Sequence, residues 1–160
     1  MIGRIRPDSD RFAVRLERHI AASVKEVWDA LTGSESIPRW LAQIRSGEVG
    51  PGTTFELVME DEPLEIARCT VAVFEPSRAL ELNWDYTGEP PSVLRLELRP
   101  DGAGTLLVLD HYGIETPAGY GAGWHAHLDL LEAVATGAER PRWGERFSAV
   151  LPEYEKLVAG

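Results

Sequence analysis

Gly123-Trp124-His125-Ala126-His127-Leu128-Asp129-Leu130-Leu131-Glu132-Ala133-Val134-Ala135 is the stretch whose reading decides the fold. At about 100° per residue, Trp124, His127, Leu128, Leu131, Val134 and Ala135 share one helix face, and Asp129, Glu132 and Ala133 point away from it. That apolar face is broad and needs a cover. The cover lies upstream, where the period changes from helical to two. Thr53 to Glu60 sets Phe55, Leu57 and Met59 against Thr54, Glu56 and Glu60, the mark of a sheet with one buried face. Leu64 to Phe74, Ala79 to Tyr86, Ser92 to Arg99 and Gly104 to His111 repeat the pattern. Between them stand Glu75-Pro76-Ser77, Gly88-Glu89-Pro90-Pro91 and Pro100-Asp101-Gly102, turns too short for parallel crossovers. An antiparallel meander packed on a long helix follows, and the functional space is whatever gap remains between them.

Working outward, residues 1–10 lack periodicity and read as a loose lead-in or an edge extension, and Phe12, Val14, Leu16 and His19 or Ile20 begin a strand. Ser23-Val24-Lys25-Glu26 has the form of a capping box. The helix it starts carries Val24, Val27, Trp28 and Leu31, with Gly33 as an expected left-handed stop. A second short helix is expected around Ile37 to Leu41, with Pro38 in its first turn and Trp40 on it. Beyond Gly137 and Pro141, the residues Trp143, Phe147, Val150, Leu151, Tyr154 and Leu157 recur at helical spacing, through a Pro152 expected to kink the segment or divide it. We expect one domain over residues 1–160, its tail at 141–160 forming an amphipathic cover.

Composition narrows the function classes. A chain of 160 residues with 44% hydrophobic content can build one core. A net charge of -10 argues against nucleic acid or an anionic membrane surface as partner, since both need clustered Lys and Arg. Arg4, Arg6, Arg11, Arg15 and Arg18 are basic, but strand alternation places Arg11 and Arg15 on a solvated face. The single Cys69 excludes an internal disulfide and reads as a small buried apolar residue. With no apolar signal or spanning run, the expected location is the cytoplasm.

Several words of the sequence resemble a known family. Ala22-Ser23-Val24-Lys25-Glu26-Val27-Trp28-Asp29-Ala30-Leu31-Thr32 resembles the opening helix of the START/SRPBCC superfamily, and Trp40 matches the Trp usual on its second helix. Leu80-Glu81-Leu82-Asn83-Trp84, Gly104-Thr105-Leu106-Leu107-Val108-Leu109-Asp110-His111 and Gly123-Trp124-x-x-x-Leu128-x-x-Leu131 together look like the branch named after the activator of the heat-shock-protein-90 ATPase. The resemblance covers about residues 12–137, and the tail is similar to an extension in some bacterial members. It implies an α+β helix-grip (START/Bet v-like) fold: a curved antiparallel sheet of about six to seven strands around a long C-terminal helix, two short helices after the first strand, and a helical tail. It also implies a cavity that takes apolar or aromatic small molecules in many relatives. The superfamily spans lipid and hormone carriers, aromatase/cyclases, resistance proteins and co-chaperone domains, so the resemblance selects no single activity.

The residues themselves carry no complete catalytic motif. His111 is expected at a strand end and His127 on the apolar helix face, where either can act as a base or a donor to a ligand; His19 reads as structural. His125 and His127 project about 200° apart and cannot chelate one ion, and His125 with Asp129 lacks a third ligand. Gly119-Tyr120-Gly121-Ala122-Gly123-Trp124 fails as a phosphate loop, because Trp124 holds the third glycine position and no Lys follows; the glycines read as a close turn into the helix. No nucleophile elbow occurs, and Glu60, Asp61, Glu62 and Glu65 read as a solvated acidic hairpin tip. What remains is aromatic: Trp28, Trp40, Phe55, Trp84 and Trp124 come from separate elements aimed at one interior.

We therefore expect binding of a small hydrophobic or aromatic molecule by Trp28, Trp40, Phe55, Leu57, Trp84, Leu96, His111, Trp124, His127, Leu128 and Leu131, with no catalytic residue, metal or cofactor. The alternatives are a co-chaperone-like module with a chaperone or other protein partner, which predicts a filled cavity and an exposed apolar patch, and an aromatase/cyclase-like or hydrolytic enzyme using a cavity His. A homodimer through the outer sheet face is a further expectation, from Leu106 and Val108 opposite Leu107 and Leu109.

Overall fold

The structure, a computed structural model, describes residues 2–159. Strand β1 (Arg4–Asp8) and strand β2 (Arg11–Ile20) are followed by helices α1 (Val24–Thr32) and α2 (Ile37–Trp40). Strands β3 (Gln43–Gly47), β4 (Thr54–Glu60), β5 (Glu65–Glu75), β6 (Ala79–Tyr86), β7 (Ser92–Asp101) and β8 (Gly104–Ile114) then lead into the long helix α3 (Pro117–Thr136) and the tail helix α4 (Trp143–Ala159). The strands form one sheet of eight in the order β1-β2-β8-β7-β6-β5-β4-β3, and every neighbouring pair is antiparallel. This is the expected α+β helix-grip architecture.

The extra strands lie at the sheet's two edges. Residues 1–10 contain a paired strand, with Arg4 opposite Arg15 and Pro7 opposite Phe12, so the edge-extension reading is the realised one. Pro7 is tolerated there because an edge strand leaves one side without ladder partners. Strand β3, Gln43–Gly47, is short and mostly exposed, so it carries no hydrophobic alternation to announce it.

Local chemistry explains several helix ends. Ser23 Oγ accepts from the Glu26 amide at 3.1 Å and Glu26 Oε1 accepts from the Ser23 amide at 3.0 Å, closing the capping box. Gly33 does not stop α1 in the left-handed region as expected; its φ of -69° and ψ of 134° are extended, and its amide donates to Asp29 O. Gly137, at φ 78°, is the left-handed terminator of α3. Pro152 neither divides nor ends the tail, which runs as one helix from Trp143 to Ala159.

Two cores result. The large one lies between the sheet and α1, α2 and α3, and includes Trp28, Trp40, Phe55, Leu57, Leu96, Leu128 and Leu131. The smaller one joins Ala122 of α3 to Val150 and Tyr154 of α4, with Ile2 and Ile5 against it. The face of α3 expected to be polar is thus covered. Ala133 and His125 are buried, and Asp129 accepts from Arg18 of β2 and Arg146 of α4, each at 2.8 Å. Gly121 makes the contact between helices close: a Cβ there would fall 2.4 Å from Tyr154 Cδ1.

The outer sheet face is laddered with charge. Arg15, Asp110, Arg95 and Glu81 stand in register across β2, β8, β7 and β6, and Val108 is only 3% exposed. Of the two residues behind the dimer expectation, Val108 is covered within one chain and Leu106 is half-buried.

Candidate functional site

The glycine-rich segment read as a turn is the first half of α3 itself. Successive turns bring Thr116, Gly119 and Tyr120, Gly123 and Trp124, then His127 to one face. Opposite stand Met59 and Glu60 at the end of β4, Trp84 and Tyr86 at the end of β6, and Glu89 in the turn that follows. Leu41, after α2, and Trp143 with Phe147, from the first turns of α4, complete a cavity of about 360 Å³. Trp143 and Phe147 stack on each other with centroids 4.9 Å apart and planes at 15°. Glycine matters here for space: nothing lies within 4 Å of a Cβ placed on Gly119, and only Trp143 lies near one on Gly123, at 3.9 Å.

Of the residues expected at the site, Trp84, Trp124 and His127 line this cavity. Trp28, Trp40, Phe55, Leu57, Leu96, Leu128 and Leu131 sit in the core behind it, and Trp28 packs edge-on against Phe74 at 5.3 Å. His111 is fully buried and holds the wall from behind. Trp124 Nε1–H donates to His111 Nδ1 at 3.0 Å, so His111 carries its proton on Nε2 and donates it to Ser92 Oγ at 2.7 Å. Ser92 in turn donates to Trp84 O at 3.4 Å. Both imidazole nitrogens are committed, and burial pushes the ring's pKa down to about 3. His111 positions Trp124 and has no lone pair left for a ligand.

His127 is the opposite case. Its Nδ1 lies 2.9 Å from Trp40 O, and a carbonyl only accepts, so Nδ1 carries the proton and Nε2 keeps its lone pair. Nε2 has no partner among the described residues, and the half-buried ring faces the cavity between Trp124 and Trp143. Burial among these rings lowers its pKa to about 4, so at neutral pH it is an uncharged acceptor.

The residues that sequence reasoning missed form the polar end. Trp84 Nε1–H donates to Tyr120 Oη at 3.1 Å, and Tyr120 donates to Glu89. Tyr86 donates to Glu65. Burial first, then the accepting carboxylate, raises both phenol pKa values, so both phenols stay protonated. The acidic hairpin tip read as solvated holds for Glu60, Asp61 and Glu62, all exposed, with Glu60 at the cavity rim, while the half-buried Glu65 anchors Tyr86. The available signal was Gly88-Glu89-Pro90-Pro91, a turn that ends the strand carrying Trp84 and so places its carboxylate at the same end of the sheet.

Other candidate chemistry is absent from the site. Cys69 is fully buried with its thiol pushed up to about 12, and desolvation leaves it inert. His125 turns away to Tyr154, whose Oη lies 3.0 Å from its Nδ1. His19 pairs with Asp101 at 2.8 Å on the exposed surface. Among the described residues no three His, Cys, Asp or Glu side chains converge as a metal site, and no helix is long and apolar enough to cross a membrane.

Comparison with known proteins agrees with the fold. CalU16 from Micromonospora echinospora, a crystal structure, is 27% identical over 99% of this chain and 96% of its own, with a TM-score of 0.78. The protein encoded by gene BPP1335 of Bordetella parapertussis is 31% identical over 94% of this chain and 87% of its own, with a TM-score of 0.70. The conserved protein EF2215 of Enterococcus faecalis, 21% identical over 97% of this chain and 91% of its own at a TM-score of 0.72, shares the fold. No curated protein sequence matches the chain. The model of the family described as activator of Hsp90 ATPase homolog 1-like protein matches residues 21–136, so the chain belongs to that family, with α4 lying beyond the matched residues.

Proposed function

We propose that this protein binds a small aromatic molecule, without transforming it, in the cavity between α3, α4 and the ends of β4 and β6. The observation that carries the reading is the cavity of about 360 Å³ with the rings of Trp84, Trp124, Trp143 and Phe147 on its walls. Ligand pockets run from roughly 300 Å³ upward and are mostly apolar with a few placed polar groups. Here flat walls supply contact area, and His127 Nε2 offers one acceptor at fixed height.

Among the alternatives, an enzyme is favoured by one feature, the free Nε2 of His127, and opposed by its chemistry. A base whose conjugate acid has a pKa near 4 is ill matched to proton abstraction at neutral pH, where general bases work best near the ambient pH. A protein-docking module calls for a filled cavity and a contiguous apolar patch. Among the described residues the large exposed apolar side chains are Leu64 on the β4–β5 hairpin and Leu157 with Val158 at the end of α4, too few for such a patch.

The test is titration of the purified protein with a panel of aromatic, polyketide and fatty-acid ligands, followed by tryptophan fluorescence, with native mass spectrometry for any co-purified adduct. Saturable quenching that is lost in Trp124→Ala supports the cavity. A panel without response, and protein whose native and denatured masses agree, refutes it.

A further inference from the structure

The cavity's charged groups are all of one sign. Glu60 and Glu89 are the only charged side chains that line it, and neither is in an ion pair among the described residues. No Lys or Arg reaches the lining. Apart from the neutral Thr116 hydroxyl, side-chain donors that would offset this are spent inside the protein. Tyr120 donates to Glu89, Tyr86 to Glu65, Trp84 to Tyr120 and Trp124 to His111. Trp143 Nε1 has no partner but is buried out of reach. The remaining side-chain nitrogen on the lining, His127 Nε2, is an acceptor.

One feature pulls the other way, the amino end of α3 at Thr116 and Gly119, where free amides favour an anion. Glu89, which accepts from the hydroxyl of Tyr120 in the opening turns of that helix, adds a fixed negative charge on the same side of the cavity. An entering carboxylate would meet Glu89 and Glu60 with no cation to pair with, whereas an ammonium would meet two carboxylates and the π faces of tryptophans.

We propose that the cavity selects aromatic ligands bearing a protonated amine and rejects aromatic carboxylates. The inference rests on the cavity reading above and adds the sign of the ligand. The apolar body stacks on Trp143, Phe147 and Trp84, and the ammonium lies at the Glu89 end, donating to Glu89 and, across the cavity, to His127 Nε2 or Glu60.

Three probes with one ring system separate the terms: naphthylmethylamine, naphthylmethanol and naphthoate, titrated calorimetrically into the full chain. The amine is expected to bind more tightly than naphthoate by about tenfold or more, the scale of one charge-assisted hydrogen bond partly screened by solvent, with the alcohol between them. In Glu60→Gln/Glu89→Gln, which keeps acceptors for Tyr120, the amine should lose its advantage over both the alcohol and naphthoate. Naphthoate binding as well as the amine, or an amine preference that survives the double substitution, overturns the charge selection and leaves the cavity reading standing. If none of the three binds, the cavity reading falls and this inference with it.

Discussion

Two glycines on one helix turn, Gly121 and Gly123, should respond to alanine with opposite signs. At Gly123 an added Cβ meets only Trp143, at the ordinary contact distance of 3.9 Å, so the change relieves the helix of a flexible residue. An interior Gly to Ala in a helix is worth about 0.5–1 kcal/mol, which for a chain of this size raises Tm by about 1–4 °C. At Gly121 the same methyl falls 2.4 Å from Tyr154 Cδ1 and 2.8 Å from Cε1. Tyr154 is fully buried, and its hydroxyl accepts from the Gly3 amide at 2.7 Å, so the ring cannot move aside without giving up that bond and the contact with His125. Overpacking of this kind costs about 1–3 kcal/mol and a lost hydrogen bond about 1 more, against a helix gain of up to about 1. The net for Gly121→Ala is a loss of about 2 kcal/mol, or roughly 4–8 °C in Tm. Thermal unfolding by circular dichroism, with calorimetry to confirm a single transition, reads both variants. Shifts of the same sign, or a stabilised Gly121→Ala, would refute the reasoning about where α3 and α4 touch.

Other consequences can be measured in the same laboratory. His111 and His127 are held neutral in the fold, with pKa values near 3 and 4 against an ordinary value near 6.5. Each depressed imidazole contributes stability that is complete above about pH 6.5 and is lost as pH falls toward its folded pKa, at up to about 1.4 kcal/mol per pH unit. Urea midpoints should therefore drop between pH 7 and 5, and His127→Gln should flatten the slope; a flat wild-type profile contradicts the assignment. Gly119→Leu fills open cavity space with no neighbour within 4 Å of its Cβ, so it should abolish naphthylmethanol binding while holding or raising Tm. Ser23→Ala removes one half of the α1 capping box and should cost about 1 kcal/mol in denaturant titration.

The fold was legible because its largest elements obey simple periods. The alternation Phe55, Leu57 and the stripe Trp124, Leu128, Leu131 name a sheet and the helix it grips, and each of these residues is buried in the same core. The second contact of α3 was not legible for a physical reason. Its face toward α4 is built from Ala118, Gly121 and Ala122, and small residues let helices approach without adding any hydrophobic amplitude to a sequence pattern. The site suffered similarly. Trp143 and Phe147 were read as the core stripe of the tail, since periodicity reports that a face is covered and not whether side chains or a void cover it. His111 and His127 looked equivalent in sequence. Only hydrogen-bond partners separate them, one using both nitrogens and the other leaving Nε2 free. Strand β1 was hidden because an edge strand with Arg4, Arg6 and Pro7 needs no apolar alternation.

The bond from Gly3 to Tyr154 joins segments 151 residues apart, and with Ile2 and Ile5 it makes the beginning of the chain a latch for the helix that carries Trp143 and Phe147. None of residues 2–8 lines the cavity, yet they pack on the helix that supplies one of its walls. Removing residues 1–3 should leave the sheet and the grip helix folded, quicken amide exchange in α4, and speed ligand release more than ligand entry. The wall of this pocket is thus buttressed from its far side, by residues that never touch the cavity.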